Sequence, residues 1–284
     1  MNPIVFFSIF ILFVTGLIGL GIYISFYYET RRKLFYFFIP GWIFFTLGRF
    51  GPLVSEFSYD IIIYEILILL SGILASIGIF LIAMGIISYF AEIHLKIAVI
   101  PCILFFIIPI ILYLTFNLEI ALNFSFITYS LSLMSGLSAP LFTWAKFKRI
   151  VGKIVSLYVI NSIIIAAYFP IALINFSQGL SIGLYECDNN FLIMLNYIII
   201  IGSTILTIIY FVYLEFSISK QESFDLKNKY SHNLGNILQT IYLSTGILKT
   251  KEDLDIQERL DLSKVIEEKI DQAKKFLEEI REIK

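Results

Sequence analysis

Seven stretches of mostly apolar residues, each about 20 residues or longer, constrain this chain more than any other feature. Hydrocarbon offers no water to the backbone. Every N–H and C=O inside it must pair within the segment, and a lone apolar stretch does that as an α-helix. The stretches run 3–28, 34–55, 61–90, 97–116, 124–145, 154–178 and 191–216. The third exceeds one bilayer crossing and calls for tilt or an extension beyond the lipid. Hydrophobic residues make up 58% of the 284-residue chain and charged residues 15%. Soluble domains carry about a quarter charged residues. The expected fold is therefore all-α, a seven-helix transmembrane bundle in a cell membrane, with lipid as its first partner. No basic segment precedes the first apolar run, which reads as a retained span and not a cleaved leader.

Orientation follows from Lys and Arg near the span ends, which favour the cytoplasmic side. Arg31, Arg32 and Lys33 lie between spans one and two, and Lys96 between three and four. Lys146, Lys148, Arg149 and Lys153 lie between five and six. The alternate loops, near Asp60, Glu119 and Cys187, hold no Lys or Arg. The N-terminus is thus expected outside and the C-terminus in the cytoplasm.

Charge divides the chain into two domains, 1–216 and 217–284. The first holds 9 Lys/Arg and 9 Asp/Glu, the second 12 and 13. The second therefore reads as a water-soluble tail. Tyr230, Leu234, Ile237, Leu238, Ile241 and Leu248 recur at helical spacing in a first helix over 220–248. The polar stretch 249–255 interrupts that stripe. A second helix over 256–283 carries Leu262, Val265, Ile266, Ile270, Ala273, Phe276, Leu277, Ile280 and Ile283. The expectation is a cytoplasmic two-helix antiparallel hairpin. One hairpin cannot cover two wide stripes, so a homodimer with a four-helix bundle is expected.

Within the spans, Arg49 and Glu65 lie on consecutive antiparallel segments, where a pair is geometrically possible. Glu56 and Asp60 are competing partners. The alternative for Arg49 is an interfacial side chain reaching to headgroups. Asn161 and Asn196 suit interhelical hydrogen bonds. Gly48, Gly72 and Gly136 permit close packing. Pro101, Pro109, Pro140 and Pro170 can bend helices. The seventh stretch has no lysine, which argues against a retinal Schiff base. Cys102 and Cys187 form no spaced pair, and His94 with Glu92 makes no metal set. No cofactor, metal or nucleic-acid partner is expected.

One segment carries chemistry: Ser231-His232-Asn233-Leu234-Gly235-Asn236-Ile237-Leu238-Gln239-Thr240. With Tyr230 at 0°, Leu234, Ile237 and Ile241 fall at about 40°, 340° and 20° on a helical wheel. His232 falls at about 200° and Asn236 at about 240° on the same wheel. The imidazole and the amide one turn later share the exposed face. The segment resembles the H-box of sensor histidine kinases, within their dimerisation and histidine-phosphotransfer domain. Ser231, His232, Leu234, Asn236, Leu238 and Gln239 carry the resemblance, which covers 222–284. It implies that His232 is the phosphoacceptor and that Asn236 supports transfer or phosphatase chemistry.

The segment departs from that family at two points. The family places Asp or Glu after the histidine as a base. Here Asn233 stands there, and a neutral amide cannot take a proton. No glycine follows Gly246, so no Gly-rich nucleotide lid follows the second helix. A self-sufficient kinase is not expected. The leading expectation is a membrane signalling receptor that relays a signal from the bundle to the dimeric hairpin, with His232 phosphorylated by a separate kinase or read by a response regulator. The second is a non-catalytic dimerising adaptor derived from a histidine kinase. A transporter with a regulatory tail ranks third.

Overall fold

The computed structural model describes the backbone of residues 3–55, 57, 60–89, 91, 93–142, 144–152, 155–177, 190–251 and 253–282. These residues are helical almost throughout, and no strand occurs among them. The helices are α1 (Pro3–Thr30), α2 (Phe35–Ser55), α3 (Ile61–Ser88), α4 (Leu95–Thr115) and α5 (Leu118–Phe142). They continue with α6 (Trp144–Val151), α7 (Val155–Ser177), α8 (Asn190–Thr250) and α9 (Ile256–Glu282). The chain divides into two compact units, Met1–Phe216 and Ser217–Lys284.

Among the described residues, six helices are long and apolar enough to cross a membrane: α1 to α5 and the part of α8 from Met194. In α7 the described apolar stretch is the shorter Val155–Ala166. The bounds of α1 to α4 follow the apolar runs closely. Helix α5 begins six residues earlier than the apolar run suggests. Asn117 explains this, because its Oδ1 accepts from the Ile120 N–H at 2.9 Å and starts the helix ahead of the apolar residues. At the head of α3, Asp60 Oδ1 accepts from Ile62 N–H at 2.8 Å. The short helix α6 lies where the sequence suggested only a loop. Phe147 anchors it, fully buried, with its ring 4.8 Å from that of Tyr158.

Helix α3 is the centre of the first unit and packs on α2, α4 and α5. Phe37, Leu69, Ile73, Ile77, Leu81, Ala98 and Ala121 form one apolar cluster across these four helices. A second cluster, with Val5, Ile9, Leu12, Leu53, Tyr197 and Ile200, joins α1, α2 and α8.

Lipid tails are as apolar as leucine, so exclusion from water does not hold these helices together. Close packing and hydrogen bonds do. Small residues let the α2 and α3 backbones meet. A Cβ on Gly78 would lie 2.5 Å from the Phe45 nitrogen and 2.8 Å from the Gly41 oxygen. A Cβ on Gly48 would lie 2.8 Å from the Ala75 nitrogen. Ser71 Oγ donates to the Gly48 carbonyl at the same crossing. Ser76 Oγ donates to the Ser125 carbonyl at 2.7 Å and ties α3 to α5. Gly136 sits against Ala83 in the same way, with a Cβ position 3.1 Å from the Ala83 Cβ.

The crossing gives a differential test. Gly78→Leu should lower stability by about 1–3 kcal/mol, the usual cost of overpacking a tight contact. Gly21→Ala, where nothing lies within 4 Å of the new methyl, should not lower it. Thermal unfolding of the two variants in one detergent measures the difference.

Candidate functional site

Helix α8 reaches from the last apolar stretch into the second unit as one element, Asn190–Thr250. The sequence permits this because no proline follows Pro170. A proline would remove a backbone donor and clash with the preceding turn.

In the second unit, His232 and Asn236 are both exposed on α8. The Asn236 Nδ2 lies 3.3 Å from the His232 Nδ1. The i, i+4 spacing brings the two together as the wheel predicts. Thr240 donates its hydroxyl to the Asn236 carbonyl at 2.9 Å and stays within the helix. The amide can meet the ring in two ways. With Nδ2 toward Nδ1, the ring proton sits on Nε2. With the amide turned, Oδ1 accepts from Nδ1–H, and Nε2 keeps its lone pair as a nucleophile.

Ile237 is buried, and Tyr230, Leu234, Ile241 and Leu248 are half-buried. The Tyr230 ring stands edge-on to Phe276 of α9, with centroids 6.0 Å apart. Leu238, expected in this stripe, is instead exposed, because at about 80° on the wheel it falls on the stripe's margin.

The intramembrane pair suggested by sequence does not form. The Arg49 guanidinium lies over the Phe45 ring, 4.9 Å from its centroid. Glu65 accepts from the Tyr113 hydroxyl at 2.8 Å. Each charge found an aromatic partner on another turn or helix. Arg49 is buried and so is not a side chain reaching to headgroups. Asp60 is engaged in capping α3, and Glu56 falls outside the described residues. Cys187 and Glu92 also fall outside them.

Asn161 does bridge helices, with Nδ2 donating to Thr207 Oγ1 at 2.9 Å. Its Oδ1 has no partner. Asn196 is fully buried, and neither of its amide atoms is hydrogen-bonded. No group of three metal-ligating side chains occurs among the described residues.

Sequence reasoning missed one constellation. Glu215, on α8, is 1% exposed. Arg32 Nη1 binds its Oε2 at 2.6 Å, and the Tyr89 hydroxyl donates to its Oε1. Arg32 lies between α1 and α2, and Tyr89 follows the last turn of α3. Aromatic rings back the cluster: Tyr89 stacks on Phe211, and Phe211 meets Phe38 edge-on at 4.9 Å. The signal in the sequence was an acidic residue in the last turn of an apolar run, facing a basic loop. The geometry ties α8 at Glu215 to the ends of two other helices.

This clamp predicts a graded loss. Arg32→Met removes one partner from a buried carboxylate and should cost on the order of 3 kcal/mol. Tyr89→Phe should cost about 1 kcal/mol. The double variant Arg32→Met/Glu215→Leu should recover much of the first loss, read by thermal unfolding as a double-mutant cycle. No protein-family model matches this chain, and no curated protein or solved structure matches it either.

Proposed function

We propose that this chain is a membrane signalling protein that passes a signal from a helical bundle to a tail carrying an accessible histidine. The observation that carries the reading is the pairing of His232 with Asn236, exposed on a helix that runs on from the last apolar stretch. In this reading α7, 23 residues long, is the sixth of seven spans, the N-terminus faces outward and residues 217–284 lie in the cytoplasm. Helices α8 and α9 form an antiparallel hairpin, which the Tyr230–Phe276 ring contact supports.

Two hairpins pair in a homodimer. Support comes from apolar side chains left exposed beside the half-buried stripes: Phe224, Leu238 and Tyr242 on α8, and Ile270 and Leu277 on α9. A second copy would cover them.

A signal acts by binding one bundle arrangement better than another, since only differential affinity shifts an equilibrium. The shift passes along α8 to the tail. Asn233 cannot serve as a base, so a separate kinase supplies the phosphoryl group to Nε2, or a response regulator reads the tail. Asn233 also favours the second reading, a non-catalytic adaptor in which the tail only dimerises and docks.

A small phosphodonor separates the two readings. With phosphoramidate, the full chain should gain phosphohistidine at His232 several-fold faster than at His94, which is also exposed and serves as an internal control. Asn236→Ala should remove that preference. Equal labelling of the two histidines in the wild type, read by peptide mass spectrometry, would leave only the adaptor reading.

A further inference from the structure

Between α2, α3, α5, α7 and α8 the first unit forms a partly open cavity of about 90 Å³. Its wall is mostly apolar and aromatic, with Trp42, Phe45, Tyr129, Tyr158 and Phe211 among its residues. No charged side chain lines it among the described residues. An ion there would lose its hydration with no counter-charge, so a charged ligand is excluded.

The polar part of the wall is specific. Asn161 is 5% exposed, and its Nδ2 is taken by Thr207, while its Oδ1 has no partner. The neighbouring hydroxyls have spent their protons on backbone carbonyls. Ser203 donates to the Ile200 carbonyl at 3.0 Å, Thr204 to the same carbonyl at 2.7 Å, and Thr207 to the Ser203 carbonyl at 2.7 Å. Tyr158 donates to the Leu137 carbonyl. Apart from the phenols of Tyr129 and Tyr210, which also line the wall, this side therefore offers acceptors. The lining residue Trp42 holds one further unpartnered group, its indole N–H, which is a donor.

A buried acceptor left without a donor costs about 1–3 kcal/mol, so a site that leaves one open favours an occupant that supplies the proton. We infer that this cavity binds a small neutral molecule with an apolar body and one hydroxyl, whose O–H is donated to Asn161 Oδ1. The volume sets the scale of the part that is buried. It lies between the ~10–15 Å³ that holds one water and the ~150 Å³ of a cavity that takes benzene, which leaves room for about four to six heavy atoms. This site concerns the first unit alone and stands or falls independently of phosphotransfer at His232.

The probe pair 1-butanol and 1-chlorobutane has the same number of heavy atoms, but only the first can donate. The full chain in nanodiscs, with Trp144→Phe so that Trp42 is the sole indole, reports binding through its emission. 1-Butanol should give a saturable change, with half-saturation about tenfold below that of 1-chlorobutane. Asn161→Leu should bring the two probes to the same value. Ser203→Phe, which fills the cavity, should abolish saturation for both. Leu133→Phe fills it from α5 and serves where Ser203→Phe does not fold. A linear response to both probes in the wild type means partition into lipid only and overturns the inference. Equal half-saturation in the wild type also overturns it, because the acceptor then selects nothing.

Discussion

Everything in this fold answers to one constraint: a backbone in hydrocarbon must satisfy its own polar groups. The long apolar runs of α1 to α5 become helices for that reason before any tertiary contact is made. The same constraint decides how the helices then meet. With no water to expel, backbone approach and hydrogen bonds supply the specificity. The crossing of α2 and α3 is built this way, from Gly41, Gly48 and Gly78 with the Ser71 hydroxyl between them. Small residues thus form the crossing, while large side chains such as Trp42, Tyr23, Phe35 and Phe38 are fully buried elsewhere in the first unit.

Polar side chains in the first unit fall into two kinds. Some are engaged between helices: Glu215 with Arg32 and Tyr89, Glu65 with Tyr113, and Ser76 with the Ser125 carbonyl. These hold helices together. Others keep an open valence, above all Asn161 Oδ1 on the cavity wall. Open valences are costly in a low-dielectric setting, and so they mark where an occupant belongs. Glu215 sits at the end of the first unit on the helix that carries His232 further along. A bundle signal that altered the clamp would act on that helix where the tail begins.

Much of this was legible in the sequence, for a physical reason. Hydropathy is summed locally, so the bounds of α1 to α4 emerge from the apolar runs alone. Helical periodicity placed His232 and Asn236 on one exposed face, because 100° per residue holds along any straight helix. The two asparagines were read as helix bridges, and Asn161 is one. What escaped depended on partners distant in sequence. The Arg49–Glu65 pair does not form because Arg49 lies over Phe45, one turn earlier, while Glu65 meets Tyr113, 48 positions away. Helix α6 escaped because its docking rests on a tertiary contact, Phe147 buried against Tyr158. The Glu215 clamp needed contacts from residues 183 and 126 positions away. Leu238 illustrates the limit on the wheel itself, since a stripe's margin is decided by the neighbour and not by the angle.

The proposed relay to His232 requires α8 to be one helix from the apolar stretch into the tail. Amide hydrogen exchange of the full chain in nanodiscs tests this most directly, over residues 212–232. Continuous protection through Ser217, Lys220 and Phe224 is the expected result, without a fast-exchanging break before Tyr230. Rapid exchange confined to 217–224 would mean a hinge there, and a bundle signal would then have no rigid element along which to reach His232.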